Sequence, residues 1–114
     1  MSGEGGRLQR LDRLRSRRDF QRVGSEGERR STRHFIVLMA PTRSTETRSR
    51  LGITASRRVG NAVVRSRLKR GIREWFRLGR SSLPAGVDVV VIARRGASEL
   101  SGREVADELG SLFP

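Results

Sequence analysis

Apolar positions recur along this chain with two periods, and each period marks an element. Between Asn61 and Gly79 they fall three and four apart. Val64, Leu68, Gly71, Ile72, Trp75 and Leu78 gather on one side of a helix turning 100° per residue. Upstream, Thr32 to Met39 contains the unbroken apolar run Phe35-Ile36-Val37-Leu38-Met39, of strand length and closed by Pro41. Leu51, Ile53 and Ala55 alternate with Arg50, Gly52 and Thr54, which predicts a partner strand over Arg48–Ser56. A polar connection at 42–47 would make the two an antiparallel hairpin. Val87 to Ala93 is nearly continuous aliphatic sequence and reads as a buried strand.

Two shorter helices complete the pattern. The first runs from Arg17 to about Val23 and carries Phe20 and Val23. It opens on Ser16-Arg17-Arg18-Asp19, like a capping box with aspartate in place of glutamate, and Gly24-Ser25-Glu26-Gly27 breaks it. The last opens on Ser101 with Glu104 three residues on, and is amphipathic through Val105, Leu109 and Leu112. Residues 81–86 read as a loop, and Arg94-Arg95-Gly96 as a turn. The order helix, strand, strand, helix, strand, helix predicts an α/β (α+β) two-layer sandwich, with helices packed on a small, mostly antiparallel sheet. Residues 11–114 form its single domain, and the Gly-rich residues 1–10 read as a disordered basic segment. General statistics make the β-α-β crossover through the long helix right-handed.

Charge adds a partner to this picture. The net formal charge of the 114 residues is +13, and 22 of the 25 basic groups lie in residues 1–80. On the long helix Lys69, Arg70, Arg73, Arg77 and Arg80 lie opposite the apolar stripe, with Arg65 and Arg67 on its flanks and Glu74 the one acid among them. Solvated helices interleave both signs, so a face this one-sided points to a polyanion. All but one of the cations are arginine, whose planar fork matches phosphate oxygens.

Other chemistry is thin. There is no cysteine, which removes disulfides, thiolate zinc sites and thiol catalysis. No apolar run has membrane-spanning length and no signal peptide opens the chain, so the expected location is cytoplasmic. The single histidine, His34, starts a strand, the carboxylates are scattered, and Gly60-Asn61-Ala62 lacks a nucleotide-binding fingerprint. Four phenylalanines and one tryptophan leave little for base stacking. The residues alone therefore describe an RNA-binding protein without catalytic groups of its own. A small ribosomal or RNA-chaperone protein shares those traits. A DNA reader would need polar base-reading side chains amid the arginines, where only Asn61 qualifies.

One further pattern separates these readings. Ser56-Arg57-Arg58-Val59-Gly60-Asn61-Ala62-Val63-Val64-Arg65-Ser66-Arg67-Leu68-Lys69-Arg70, then Ile72-Arg73-Glu74 and Phe76-Arg77, resembles the signature of the bacterial ribonuclease P protein component. Arg18-Asp19-Phe20-Gln21-Arg22-Val23, Arg33-His34-Phe35 and Asp88-Val89-Val90-Val91-Ile92-Ala93-Arg94 extend the resemblance in the family's order. Ser66 stands where the family has asparagine, Gly24 and Leu38 where it often has aromatics, and Gly71 where it has a larger apolar residue.

The resemblance implies a protein that joins a large catalytic RNA, one to one, and helps it remove the 5′ leader of precursor tRNA. No obligate protein partner or membrane is implied. The RNA supplies the chemistry and holds the Mg2+, and the protein binds no cofactor alone. By position, Arg57, Arg58, Asn61, Arg65, Arg67, Lys69, Arg70 and Arg73 would face the catalytic RNA. Phe20, Phe35 and Val37 would line a leader cleft between the sheet and the first helix. Strand alternation by itself puts Phe35 in the core, Phe20 suits core and cleft equally, and one of Arg65 and Arg67 has the option of snorkelling over the core edge. The family's β-α-β crossover is left-handed, which replaces the general expectation.

Overall fold

The structure is a computed structural model, and it describes residues 13–14, 16–42, 49–79, 83–84 and 86–113. The predicted N-terminal segment, Arg80 and most of the connections at 42–47 and 81–86 lie outside these residues. Eight elements follow in order: α1 (Arg17–Glu26), β1 (Glu28–Ser31), β2 (Phe35–Pro41), β3 (Arg50–Thr54), α2 (Ala62–Gly79), β4 (Val87–Ala93), a 3-10 turn at Ala97–Glu99, and α3 (Gly102–Gly110). Among the described residues no helix is long and apolar enough to cross a membrane.

The strands form one sheet in the order β1-β2-β4-β3. β2 pairs antiparallel with both β1 and β4, with Val37 opposite Val91, while β3 pairs parallel with β4, with Ile53 opposite Val91. This corrects the expected hairpin. β2 and β3 never touch, because β4, the most aliphatic strand, takes the centre and puts one of them on each side. A strand covered on both faces reads as a continuous apolar run, and Val89, Val90 and Val91 are all buried.

β1 is a second departure. Its sequence, Glu28-Arg29-Arg30-Ser31, carries no apolar signal, and it forms only because β2 offers it a ladder. Charged residues suit an edge strand, where they discourage pairing with another chain. α1 also outlasts its expected break: Gly24 is helical, and the helix ends where Gly27 N–H donates to the Val23 carbonyl at 2.9 Å.

Helices cover both sheet faces. On one face Phe35, Val37, Leu51, Val89 and Val91 meet Leu68, Ile72, Trp75 and Phe76 of α2 and Val105 and Leu109 of α3. On the other a smaller cluster joins Val23 of α1 with Leu14, Ala40 and Val90, flanked by Phe20, Leu38 and Ile92. α3 has the expected capping box: the Ser101 hydroxyl accepts from Glu104 N–H at 3.1 Å, and the Glu104 carboxylate accepts from Ser101 N–H at 2.8 Å. α1 does not. Ser16 caps through Arg18 N–H at 3.1 Å, while Asp19 is drawn into ion pairs with Arg22 and Arg50. Glu108 ties α3 to the start of β2. Its carboxylate accepts from the Thr32 hydroxyl at 2.5 Å and from His34 N–H at 2.8 Å, and lies 2.8 Å from His34 Nδ1.

Candidate nucleic-acid interface

α2 sets out most of the candidate RNA-facing cations, Arg65, Arg67, Lys69, Arg70 and Arg73. Asn61 begins it, its Oδ1 accepting from Val64 N–H at 2.9 Å. Arg65, Lys69 and Arg73 follow four residues apart, so they stack along one flank with about 6 Å of rise between neighbours. All three are half-buried, because this flank adjoins the covered stripe rather than opposing it. Arg65 Nε donates to the Gly60 carbonyl at 3.1 Å, which holds the turn before the helix.

Lys69 and Arg73 open onto a cleft of about 280 Å³ lined also by Arg13, Leu14, Phe20, Leu51 and Ile53. Its floor is the outer edge of β3, where Leu14 N–H donates to the Leu51 carbonyl at 2.8 Å and Arg13 makes a short parallel bridge. Three cations meet there without an acid among the lining residues. Burial, and then the charge of Arg13, hold the Arg73 guanidinium below the ordinary arginine range. Arg13 Nε is buried and has no hydrogen-bond partner among the described residues. Converging like charges and an unmet donor both favour a bound anion. Phe20 adds an aromatic wall.

The remaining cations of α2 point elsewhere. Arg67 Nη2 donates to the Ser98 carbonyl at 2.7 Å, across toward α3. Exposed Arg70 borders an apolar groove between α2 and α3. Arg77 is paired with Glu74 at 2.5 Å. The single basic face read from the sequence is therefore split into a flank toward α1 and a flank toward α3.

A second cationic hollow, about 350 Å³, lies past the carboxyl ends of the parallel β3 and β4 and is lined by Ser56, Arg58, Val59, Ala93, Arg94 and Arg95. All three arginines are exposed, as is Arg57 beside them. Arg94, Arg95 and Arg13, which line these hollows, were not among the candidates read from the sequence. The signal for the first two was present in the basic pair that follows β4. For Arg13 there was none, since its place in the cleft depends on the bridge to Leu51.

Phe35 and Val37 do not line the cleft. Both are 0% exposed and face the main core beneath α2 and α3, the opposite side of the sheet from α1. Alternation gives the α1 face to Ile36 and Leu38, which pair with Ile92 and Val90. Phe20 does face the cleft. Its ring lies over Gly52, where a Cβ would sit 2.6 Å from Phe20 Cζ. Of the expected leader contacts only Phe20 retains a surface for a ligand.

The sequence model of the ribonuclease P family matches residues 8–114. The chain belongs to the ribonuclease P protein component family. The ribonuclease P protein component of Desulforapulum autotrophicum is 44% identical over 104 residues, covering 91% of this chain and 87% of that protein. Among solved structures, the ribonuclease P protein of Thermotoga maritima superposes with a TM-score of 0.78 at 38% identity, covering 89% of this chain and 94% of that one. The Staphylococcus aureus protein gives 0.79 at 33% identity, covering 88% and 90%. Membership makes this chain a subunit of an endoribonuclease, partnered with the ribonuclease P RNA and working in tRNA processing. These solved structures share the fold described above.

Proposed function

We propose that this ribonuclease P protein binds its catalytic RNA in the cytoplasm and grips the 5′ leader of precursor tRNA, assisting its endonucleolytic removal. The observation that carries this reading is the cleft between α1, β3 and α2, where Arg13, Lys69 and Arg73 converge beside Phe20. A single strand suits it. Backbone phosphates would meet the three cations and a base would lie on the ring, an arrangement indifferent to sequence. The second hollow, with Arg58, Arg94 and Arg95, lies beyond the start of α2 and would take further phosphates. Arg67 and Arg70, turned toward α3, and Arg57, Asn61 and Arg65 around the helix start would contact the catalytic RNA, one protein to one RNA.

Hydrolysis falls to the RNA and its Mg2+. Among the described residues no three of histidine, aspartate and glutamate come together to hold an ion. Asp88, Glu74 and Glu108 are each engaged by cationic or hydroxyl partners. The test is precursor tRNA cleavage at low magnesium by the organism's own catalytic RNA, with and without this protein. A mature 5′ end that requires both, with no cleavage by protein alone, supports the reading. Binding to the RNA without any effect on leader removal would refute the leader assignment.

A further inference from the structure

The cleft is only as well defined as the placement of α1, and the apolar contact holding α1 is small: Val23 is its one buried apolar side chain. What supplements it is a buried ion network. The Asp88 carboxylate, 0% exposed on β4, accepts from Arg22 Nη2 of α1 and from Arg50 of β3, through Nε at 2.9 Å and Nη2 at 2.8 Å. Arg22 continues to the Pro41 carbonyl at the end of β2 at 2.9 Å, and Asp19 reaches back to Arg22 at 3.3 Å and Arg50 at 3.7 Å. Two arginines and two aspartates thus join α1 to β2, β3 and β4 at one end of the cleft. Phe20, on the same helix as Arg22, lines the cleft with Arg13 and is seated on Gly52, two residues along β3 from Arg50.

We propose that Asp88, with Arg22 and Arg50, is a positioning group for the leader cleft, setting the distance of α1 and its Phe20 from β3 without touching RNA. The proposal rests on the leader reading above. The geometry favours positioning over plain stability because the three strands are already joined by backbone ladders, whereas α1 has no ladder. Arg22 is its one buried polar tether. Removing one partner of a buried pair leaves the other unsatisfied, and the least restrained element, α1, is the one free to move.

The experiment compares wild type, Asp88→Asn and Arg22→Gln in the reconstituted holoenzyme. It measures affinity for a precursor with a long leader, for one with a single-nucleotide leader, and of the protein for the catalytic RNA. The expected result is a weakening of about tenfold for the long leader alone, a size typical of residues that act through others. The short-leader and catalytic-RNA affinities should hold within about twofold, and Asp88→Glu should recover part of the loss. Equal losses on all three ligands, or none in a folded variant, would overturn the proposal. If Asp88→Asn fails to fold by circular dichroism, Arg22→Gln decides, since it leaves the Asp88–Arg50 pair in place. A wild-type protein indifferent to leader length would instead overturn the leader reading itself.

Discussion

Two glycines show how much a missing side chain decides. Gly52 provides the bare backbone on which Phe20 lies. Gly52→Ala should therefore push the ring off β3 and weaken long-leader precursor binding several-fold, with catalytic-RNA affinity unchanged; titration of labelled precursor into holoenzyme reads it. Gly24 is the contrary case. It is helical, exposed and has open space where a Cβ would stand, so Gly24→Ala should stabilise the fold by about 0.5–1 kcal/mol in urea unfolding. Phe35 and Val37 carry a different lesson. Both were legible as strand residues, and alternation by itself put Phe35 in the core, where it is buried, against the cleft position implied by the resemblance. What alternation left open is which face carries the larger core. That was set by α2 and α3 packing on one face and only α1 on the other.

The helices were the most legible parts because their signals are local. α2 follows from its 3.6-residue period and α3 from its reciprocal capping box, whereas the Asn61 cap on α2 emerged only in the structure. Ser101→Ala should cost about 1 kcal/mol of stability, measured by thermal or urea unfolding. The basic face was read correctly as basic and incorrectly as single. Lys69 and Arg73 sit closer to the buried stripe than Arg70, and the wheel cannot say that β3 and α1 lie beyond that edge. The strands were harder. β1 has no apolar pattern at all, and the β2–β3 hairpin was inferred from nearness in sequence, which β4 overrides by pairing with both.

Across the molecule, cations spread over two flanks of α2 and a second hollow, together with the ion pairs between layers, dictate the response to salt and acid. Each phosphate neutralised releases counterions, so RNA affinity should fall linearly with salt on logarithmic axes. Replacing Lys69 and Arg73 by glutamine should flatten the slope by about 1.5, against a near-zero change for Arg77→Gln, whose partner is Glu74. Acid acts on the ties between layers. Burial pushes Asp88 up, but hydrogen bonds from Arg50, Arg22 and Thr42 outweigh it and hold the carboxyl below its usual range. Glu108 is likewise pushed up by burial and held down, on balance, by Thr32 and His34. Both groups bind protons more readily unfolded than folded, so their stabilisation is complete above the ordinary carboxylate pKa, about 4, and fades as pH falls through the lower folded values. The melting temperature should drop on acidification through that window, and less so in Glu108→Gln.

Membership of the ribonuclease P family, the helical segments, the capping box of α3, the aliphatic strand and the polyanionic partner class were all written in the linear order of residues. Each rests on near-neighbour periodicity, spacing or summed charge, which folding does not alter. Strand order, the parity of β2, the division of cations on α2 and the meeting of Arg13 with Lys69 and Arg73 were decided only in three dimensions. They depend on which distant segments pack together, as does the Asp88 clamp, whose arginines Arg22 and Arg50 lie 66 and 38 residues from Asp88 along the chain.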